Sequence, residues 1–251
     1  MAVESYAISR VGYGKRVNED FFGACLSADR NVRFSILADG MGGHAAGNVA
    51  GRMAVNGFKE AAEKYTYKGI YELTKFLRDT TVEVSRMIER VATENPAYNG
   101  MGSTIVILAI VENENKAALC NVGDSRAYCF RSGILSQITK DHSIAQLMLD
   151  KGYTREEIKR YLAQNTITKA MGFISGVGPG GLPDTYVTEA LRGDIFMLCS
   201  DGLSSAVSDF ELSEIFHRNA TKTSKTLCKE FVRCALGYGS EDDITTLLVR
   251  V

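Results

Sequence analysis

Residues 103–111 read STIVILAIV. From Ile105 to Val111 every side chain is apolar, so a strand here has no face to offer water and has to be covered on both sides. The run also stops well short of the ~20 residues needed to span a bilayer. Working outward, KAALCNV (116–122) and RAYCFR (126–131) follow as strands of a meander with short turns. Upstream, SYAISRV (5–11), DFFGACL (20–26) and VRFSILA (32–38) are short, apolar and bounded by turn residues, the pattern of strands. A helix is predicted from about Ala46 to Tyr65. A second is predicted from Ile70 to Ala92, where Ile70, Leu73, Leu77, Val84, Met87, Ile88 and Val91 recur mostly at spacings of three or four.

After Asp141 the character changes. Ser143 with Gln146, and Thr154 with Glu157, carry the spacing of capping boxes and predict two short helices separated by the turn DKGY. Then come a strand, DIFMLCS (194–200), a third box at Ser208 and Glu211, a helix from about Lys222 to Leu236, and a closing strand, ITTLLVRV. Strands and helices arrive in blocks and do not alternate strictly. That predicts an α+β layered sandwich over a doubly wound parallel sheet. With three prolines, no repeat and no low-complexity linker, residues 1–251 read as one domain.

Net charge is −1, from 29 basic and 30 acidic residues, which provides no electrostatic footprint for nucleic acid or an anionic membrane. The six cysteines show no C-x-x-C spacing and lie mostly in apolar stretches; they read as reduced core residues of a cytoplasmic protein. The segment MAVESYAISR has no apolar core of a signal peptide. Three histidines are too few for a histidine-rich zinc site.

Acidic residues mark the strand ends. ILADG puts Asp39 and Gly40 after an apolar strand, and MLCSDG puts Asp201 after another. NVGDSR sets Asp124 at a turn, SEDDI places Asp242 and Asp243 before the last strand, and RVNED places Glu19 and Asp20 before an early one. A carboxylate at the rim of a rigid core costs free energy unless something pairs it. Several converging with backbone carbonyls suit a hard divalent cation, Mg²⁺ or Mn²⁺, while any single Asp-Gly also reads as a plain turn. The string GMGG (40–43) matches neither nucleotide-loop motif, so its glycines read as steric: they let a carbonyl and an incoming group come close. His44 reads as a loop or cap residue. Cys120 to Arg126 also has the C-x5-R spacing of cysteine-dependent phosphatases, but strand patterns on both sides leave no helix N-terminus to activate the thiol.

Taken together and in order, RVNEDFF, ILADGMGGHAAG, MGSTIV, NVGDSRAY, ITKDHS, TITKAMG, MLCSDGLSSAVSD and EDDITTLLV resemble the metal-dependent protein phosphatases (PPM, type 2C) in their bacterial form. The resemblance covers nearly the whole chain. It implies a four-layer α-β-β-α sandwich of two antiparallel sheets flanked by helices, with a small flap at about 143–164 beside the cleft. It implies Mg²⁺- or Mn²⁺-dependent hydrolysis of phosphoserine and phosphothreonine in proteins, in which a water bridging two ions attacks phosphorus directly and no phosphoenzyme forms. Asp39 would bridge the two ions, with the Gly40 carbonyl on one; Asp201, Asp242 and Asp20 would complete their shells, Glu19 would orient waters, and Asp124 would hold a third ion. Phosphorylated proteins, and an opposing Ser/Thr protein kinase, are the partners it implies. The other readings are a phosphoprotein- or kinase-binding protein of the same fold without hydrolysis, and a cysteine mechanism through Cys120.

Three positions depart from the family pattern. Lys15 stands where an arginine usually grips phosphate, with Arg16 one place on; an ammonium lacks the bidentate fork of a guanidinium. Met41 stands where eukaryotic members have a histidine. Asp243 replaces the usual asparagine, and is expected either to tighten metal binding or to face solvent.

Overall fold

The computed structural model describes residues 3–42, 45–161, 166–173 and 181–251. Its first half contains β1 (Glu4–Arg10), β2 (Asp20–Leu26), β3 (Val32–Met41), α1 (Ala45–Ala62), α2 (Ile70–Glu94), β4 (Gly102–Ser103), β5 (Ile105–Val111) and β6 (Lys116–Val122). The second half adds β7 (Arg126–Arg131), β8 (Ile134–Gln137), α3 (Ile144–Asp150), α4 (Arg155–Ile158), β9 (Asp184–Glu189) and β10 (Ile195–Cys199). It closes with α5 (Asp201–Ser204), α6 (Asp209–Asn219), α7 (Ser224–Gly237) and β11 (Ile244–Arg250). One sheet has the order β1-β11-β10-β7-β8 and the other β2-β3-β5-β6-β9, with β4 on the end of β3. Neighbouring strands pair antiparallel.

The apolar run that opened the sequence accounts for the layering. In β5, Ile105, Ile107, Ala109 and Val111 pack towards α1 and α2, while Val106, Leu108 and Ile110 point into the space between the sheets. Strand β10 repeats this in the other sheet: Ile195, Met197 and Cys199 meet α6 and α7, and Phe196 and Leu198 meet β5 across the middle. Alternating side chains thus fill an outer and a central core from one strand. The result is helices, sheet, sheet, helices.

The boundaries differ from expectation in physically readable ways. Strand β3 does not stop at Ala38 but runs through Asp39 to Met41, because β4 supplies partners for Gly40 and Met41. Strands β8 and β9 were not predicted; both are short or mostly solvent-facing edge strands with no apolar run. Helix α1 ends at Ala62, three residues early, and α7 starts at Ser224 behind a Thr223 cap. Reciprocal capping boxes form at Thr154 with Glu157 and at Ser208 with Glu211. Ser143 accepts from the Gln146 amide, but the Gln146 side chain turns to Asp150, so that box is one-sided. Of the flap stretch, 162–164 lie outside the described residues, as do Gly43 and His44. Among the described residues no helix is long and apolar enough to cross a membrane.

The loop between β1 and β2 is clamped by backbone against backbone. A Cβ on Gly12 would stand 2.3 Å from the carbonyl oxygens of Glu241 and Asp242, and one on Gly202 would stand 2.1 Å from that of Asp243. The 241–243 segment is therefore held between two glycines with no room for a methyl group. Gly12→Ala is expected to cost on the order of 2 kcal/mol and to lower the thermal midpoint by several degrees; a melt unchanged from wild type would contradict this packing.

Candidate metal centre

The two sheets deliver carboxylates to one seam. Asp20, the first residue of β2, lies directly opposite Asp39 of β3 in the ladder. From the other sheet, Asp201 follows β10 as the first residue of α5, and Asp242 lies just before β11. Ser200 ties the halves together: its hydroxyl donates to Asp20 Oδ2 at 2.7 Å and accepts from the Thr245 amide at 3.0 Å. Thr104 fixes the Asp39 backbone, its hydroxyl accepting from the Asp39 amide at 3.0 Å and its amide donating to the Asp39 carbonyl at 2.8 Å. Neither Ser200 nor Thr104 was singled out from sequence, although both fall in the quoted motifs CSDG and MGST.

Burial and crowding of like charge dominate the electrostatics. Asp20 is 5% exposed. Burial pushes its carboxyl up to about 8, hydrogen bonds from Thr245 and Ser200 oppose the shift, and the charges of Asp243 and Asp201 add to it. Asp39 is raised well above the usual carboxylate range by burial and then by Asp20, Asp201 and Asp242. Asp201 is raised by burial and by Asp242. Glu19 Oε1, Asp20 Oδ1 and Asp201 Oδ1 are buried oxygens with no hydrogen-bond partner among the described residues. Orphaned anionic oxygens of this kind are costly unless protonated or bound to a cation.

The glycines make the slot in which Glu19 sits. A Cβ on Gly47 would lie 2.3 Å from Glu19 Oε1 and 2.8 Å from the Gly40 carbonyl oxygen. One on Gly40 would lie 2.0 Å from the Gly47 carbonyl, and the Gly40 amide donates to the Glu19 carbonyl at 3.0 Å. The steric reading of the glycine-rich run is right in kind. Its counterpart, Gly47 on α1, was missed.

Lys15 lies over the cluster. Its ammonium pairs with Asp242 Oδ1 and reaches Asp243 Oδ2 at 3.3 Å and Glu19 Oε2 at 3.6 Å. Burial alone would lower its pKa, but the Asp242 and Asp243 carboxylates outweigh that and raise it. Arg16 is exposed on the same loop and has no ion pair with other described residues. Asp243 does not face solvent: it is 1% exposed, and its two oxygens accept from the Gly12 and Glu19 amides at 3.0 and 2.8 Å. Asp124 occupies the β6–β7 turn and shares a cleft of about 70 Å³ with Asp201, Arg126, Asp141 and Ser143. Burial, then Asp201 and Asp141, push it up to about 8.

The donor set, all oxygen and rich in carboxylate, has the chemistry of a hard divalent cation, and the three orphaned oxygens fit one. Among the described residues no three His, Cys, Asp or Glu side chains stand close enough to close a shell unaided. Asp242 is turned to Lys15, and Asp124 meets the cluster only through the cleft it shares with Asp201. The cysteine alternative has no support: Cys120 is fully buried in β6 and its thiol is pushed up to about 12. Arg126 is committed to Asp141 at 2.7 Å.

Residues 13–238 match the family model described as protein phosphatase 2C. The chain is 36% identical over 234 residues to the serine/threonine phosphatase stp of Listeria monocytogenes, covering 92% of this chain and 89% of that one. It is 32% identical over 248 residues to the protein phosphatase PhpP of Streptococcus pneumoniae, covering 98% and 97%. Among solved structures, the serine/threonine phosphatase of S. agalactiae superposes with a TM-score of 0.90 at 29% identity over the full length of both chains.

A carboxyl whose folded pKa lies above its unfolded value of about 4 holds a proton that the unfolded chain releases, so stability falls as pH rises towards about 8. In EDTA the thermal midpoint is expected to be lower near pH 8 than near pH 6.5, and Mn²⁺ or Mg²⁺ at pH 8 is expected to reverse the loss. A midpoint indifferent to both pH and metal would contradict the electrostatic account.

Proposed function

This chain belongs to the protein phosphatase 2C family, and from that premise we propose that it hydrolyses phosphoserine and phosphothreonine in proteins with the help of divalent cations. At the coarser level it is a serine/threonine protein phosphatase. The observation that carries the finer reading is the set of buried, unpartnered oxygens on Glu19, Asp20 and Asp201 at the seam of the two sheets. Asp20, Asp39, the Gly40 carbonyl, Asp201 and Asp242 would hold two Mn²⁺ or Mg²⁺ ions, and Asp124 a third. Such ions supply charge neutralisation of phosphoryl oxygens and a nucleophile at neutral pH.

The chain's own residues have the remaining tasks. Lys15 presents the one ammonium among the described residues at the rim of the carboxylate cluster, and so offers a point charge to a phosphoryl oxygen. Glu19 Oε1, buried against Gly47 and without a partner among the described residues, would accept a hydrogen bond from a water held at the cluster. Met41, half-buried at the end of β3, carries a thioether that donates no proton, so the leaving alkoxide takes its proton from water. The flap helix α3 flanks the cleft through its cap Ser143 and Ala145 and would face the polypeptide around the phosphoresidue. We read residues 1–251 as a single catalytic unit in the cytoplasm, acting on phosphorylated proteins and opposing a Ser/Thr kinase.

Phosphate release from a phosphothreonine peptide and from p-nitrophenyl phosphate tests this. Both activities are expected to require Mn²⁺ or Mg²⁺, to vanish in EDTA and to fall roughly 10²–10³-fold in Asp201→Asn, while Cys120→Ser retains them. The peptide, with its poor leaving group, is expected to turn over more slowly than the nitrophenyl ester, because Met41 gives no acid assistance. No release from either substrate with cation bound would favour a binding role without hydrolysis.

A further inference from the structure

Asp243 is a charged side chain in the carboxylate region that the catalytic reading leaves without a task. It is 1% exposed, yet none of its oxygens is orphaned. Oδ1 accepts from the Gly12 amide at 3.0 Å. Oδ2 accepts from the Glu19 amide at 2.8 Å and from the Lys15 ammonium at 3.3 Å. These three donors come from the two ends and the middle of a single loop, and the carboxylate lies more than 220 residues away in sequence. Asp242, Lys15's nearer partner, and Glu19 face the cluster, where cations and water compete for them. Asp243 is turned to the loop, with both of its oxygens on loop donors.

We propose that Asp243 is a positioning residue for phosphate recognition: its buried carboxylate folds the 12–19 loop around itself and holds the Lys15 ammonium at the rim where a phosphate oxygen arrives. Lysine's four-carbon stem is free to swing and its point charge has no preferred plane, so an ammonium is aimed only by what surrounds it. Asp243 supplies that aim and a countercharge between phosphate-bound states. A neutral amide at 243 fails on both counts, because its NH₂ has to face either a backbone N–H or the ammonium. Arginine at 15 fails differently: its fork pairs bidentately with the Asp242 and Asp243 carboxylates and is held away from the substrate. Lys15 and Asp243 therefore act as one unit. The inference takes from the phosphatase reading only that phosphate is the anion.

The test is calorimetric titration of inorganic phosphate into the full chain in Mg²⁺, across Lys15→Met, Asp243→Asn and the double variant. Thermal melts of each variant report the fold separately. Each single change is expected to weaken phosphate binding about tenfold, and the double variant is expected to stay within about threefold of the weaker single, the signature of coupled residues. Losses that multiply to about a hundredfold, an Asp243→Asn that binds like wild type, or a wild-type chain that binds no phosphate would each overturn the proposal. If Asp243→Asn does not fold, Lys15→Arg reads the same coupling with Asp243 in place. Phosphate binding about threefold weaker supports capture by the carboxylates, and tighter binding overturns it. Turnover of p-nitrophenyl phosphate is followed in parallel. Coupled phosphate binding without turnover would fail the phosphatase reading and leave this one standing.

Discussion

Everything at the active end of this protein follows from forcing carboxylates together where water is scarce. Asp20 and Asp39 face each other across one ladder, and Asp201 and Asp242 arrive from the other sheet. Their mutual repulsion and lost hydration would push the sheets apart at that end if nothing opposed them. What opposes them is the central core behind the seam, where Leu37, Val106, Leu108, Phe196, Leu198 and Leu247 are buried between the sheets. Apolar burial of that extent, non-directional and additive, can carry a locally unfavourable cluster. The charge cluster is therefore affordable only at the edge of a large sandwich, and a smaller fold would not hold it.

The second requirement is closeness of backbone. Glu19, Asp242 and the Gly40 carbonyl have to approach one another from three separate segments. Gly12, Gly40, Gly47 and Gly202 are the places where those segments touch without side chains between them. A methyl group at any of these would stand at 2.0–2.3 Å from a carbonyl or carboxylate atom. The glycine-rich run thus answers to geometry, with the donor groups supplied by its neighbours. Fixing the donors this tightly also limits how far they can relax when a charge arrives, which is the physical content of a preorganised site.

Much of this was legible in the sequence, and the reasons differ from part to part. The apolar run 105–111 announced its own double burial, and helices α2 and α6 carried their period or their cap in plain view. The resemblance placed the acidic residues in order. Strands β8 and β9 stayed invisible because an edge strand with one wet side has no apolar signature. The burial of Asp243 could not be read because its partners, Gly12, Lys15 and Glu19, lie at the opposite end of the chain, and no local pattern reports a contact across that distance. Gly47 was passed over for a related reason: on a helix a lone glycine reads as a weak spot until the strand that packs on it is known.

The contact of Asp243 with Lys15 also shows why two departures from a family pattern should not be weighed one at a time. Lys15 taken alone suggests a weakened phosphate grip, and Asp243 taken alone suggests an extra cation ligand. In the structure they touch. A buried carboxylate that accepts two backbone amides is fixed in place, and a flexible lysine stem gains a fixed neighbour from it. The two are read together: the carboxylate takes the ammonium as its side-chain cation, and the ammonium lies between it and Asp242. Their contact makes of two departures one arrangement, a point charge beside a buried carboxylate in place of a rigid fork.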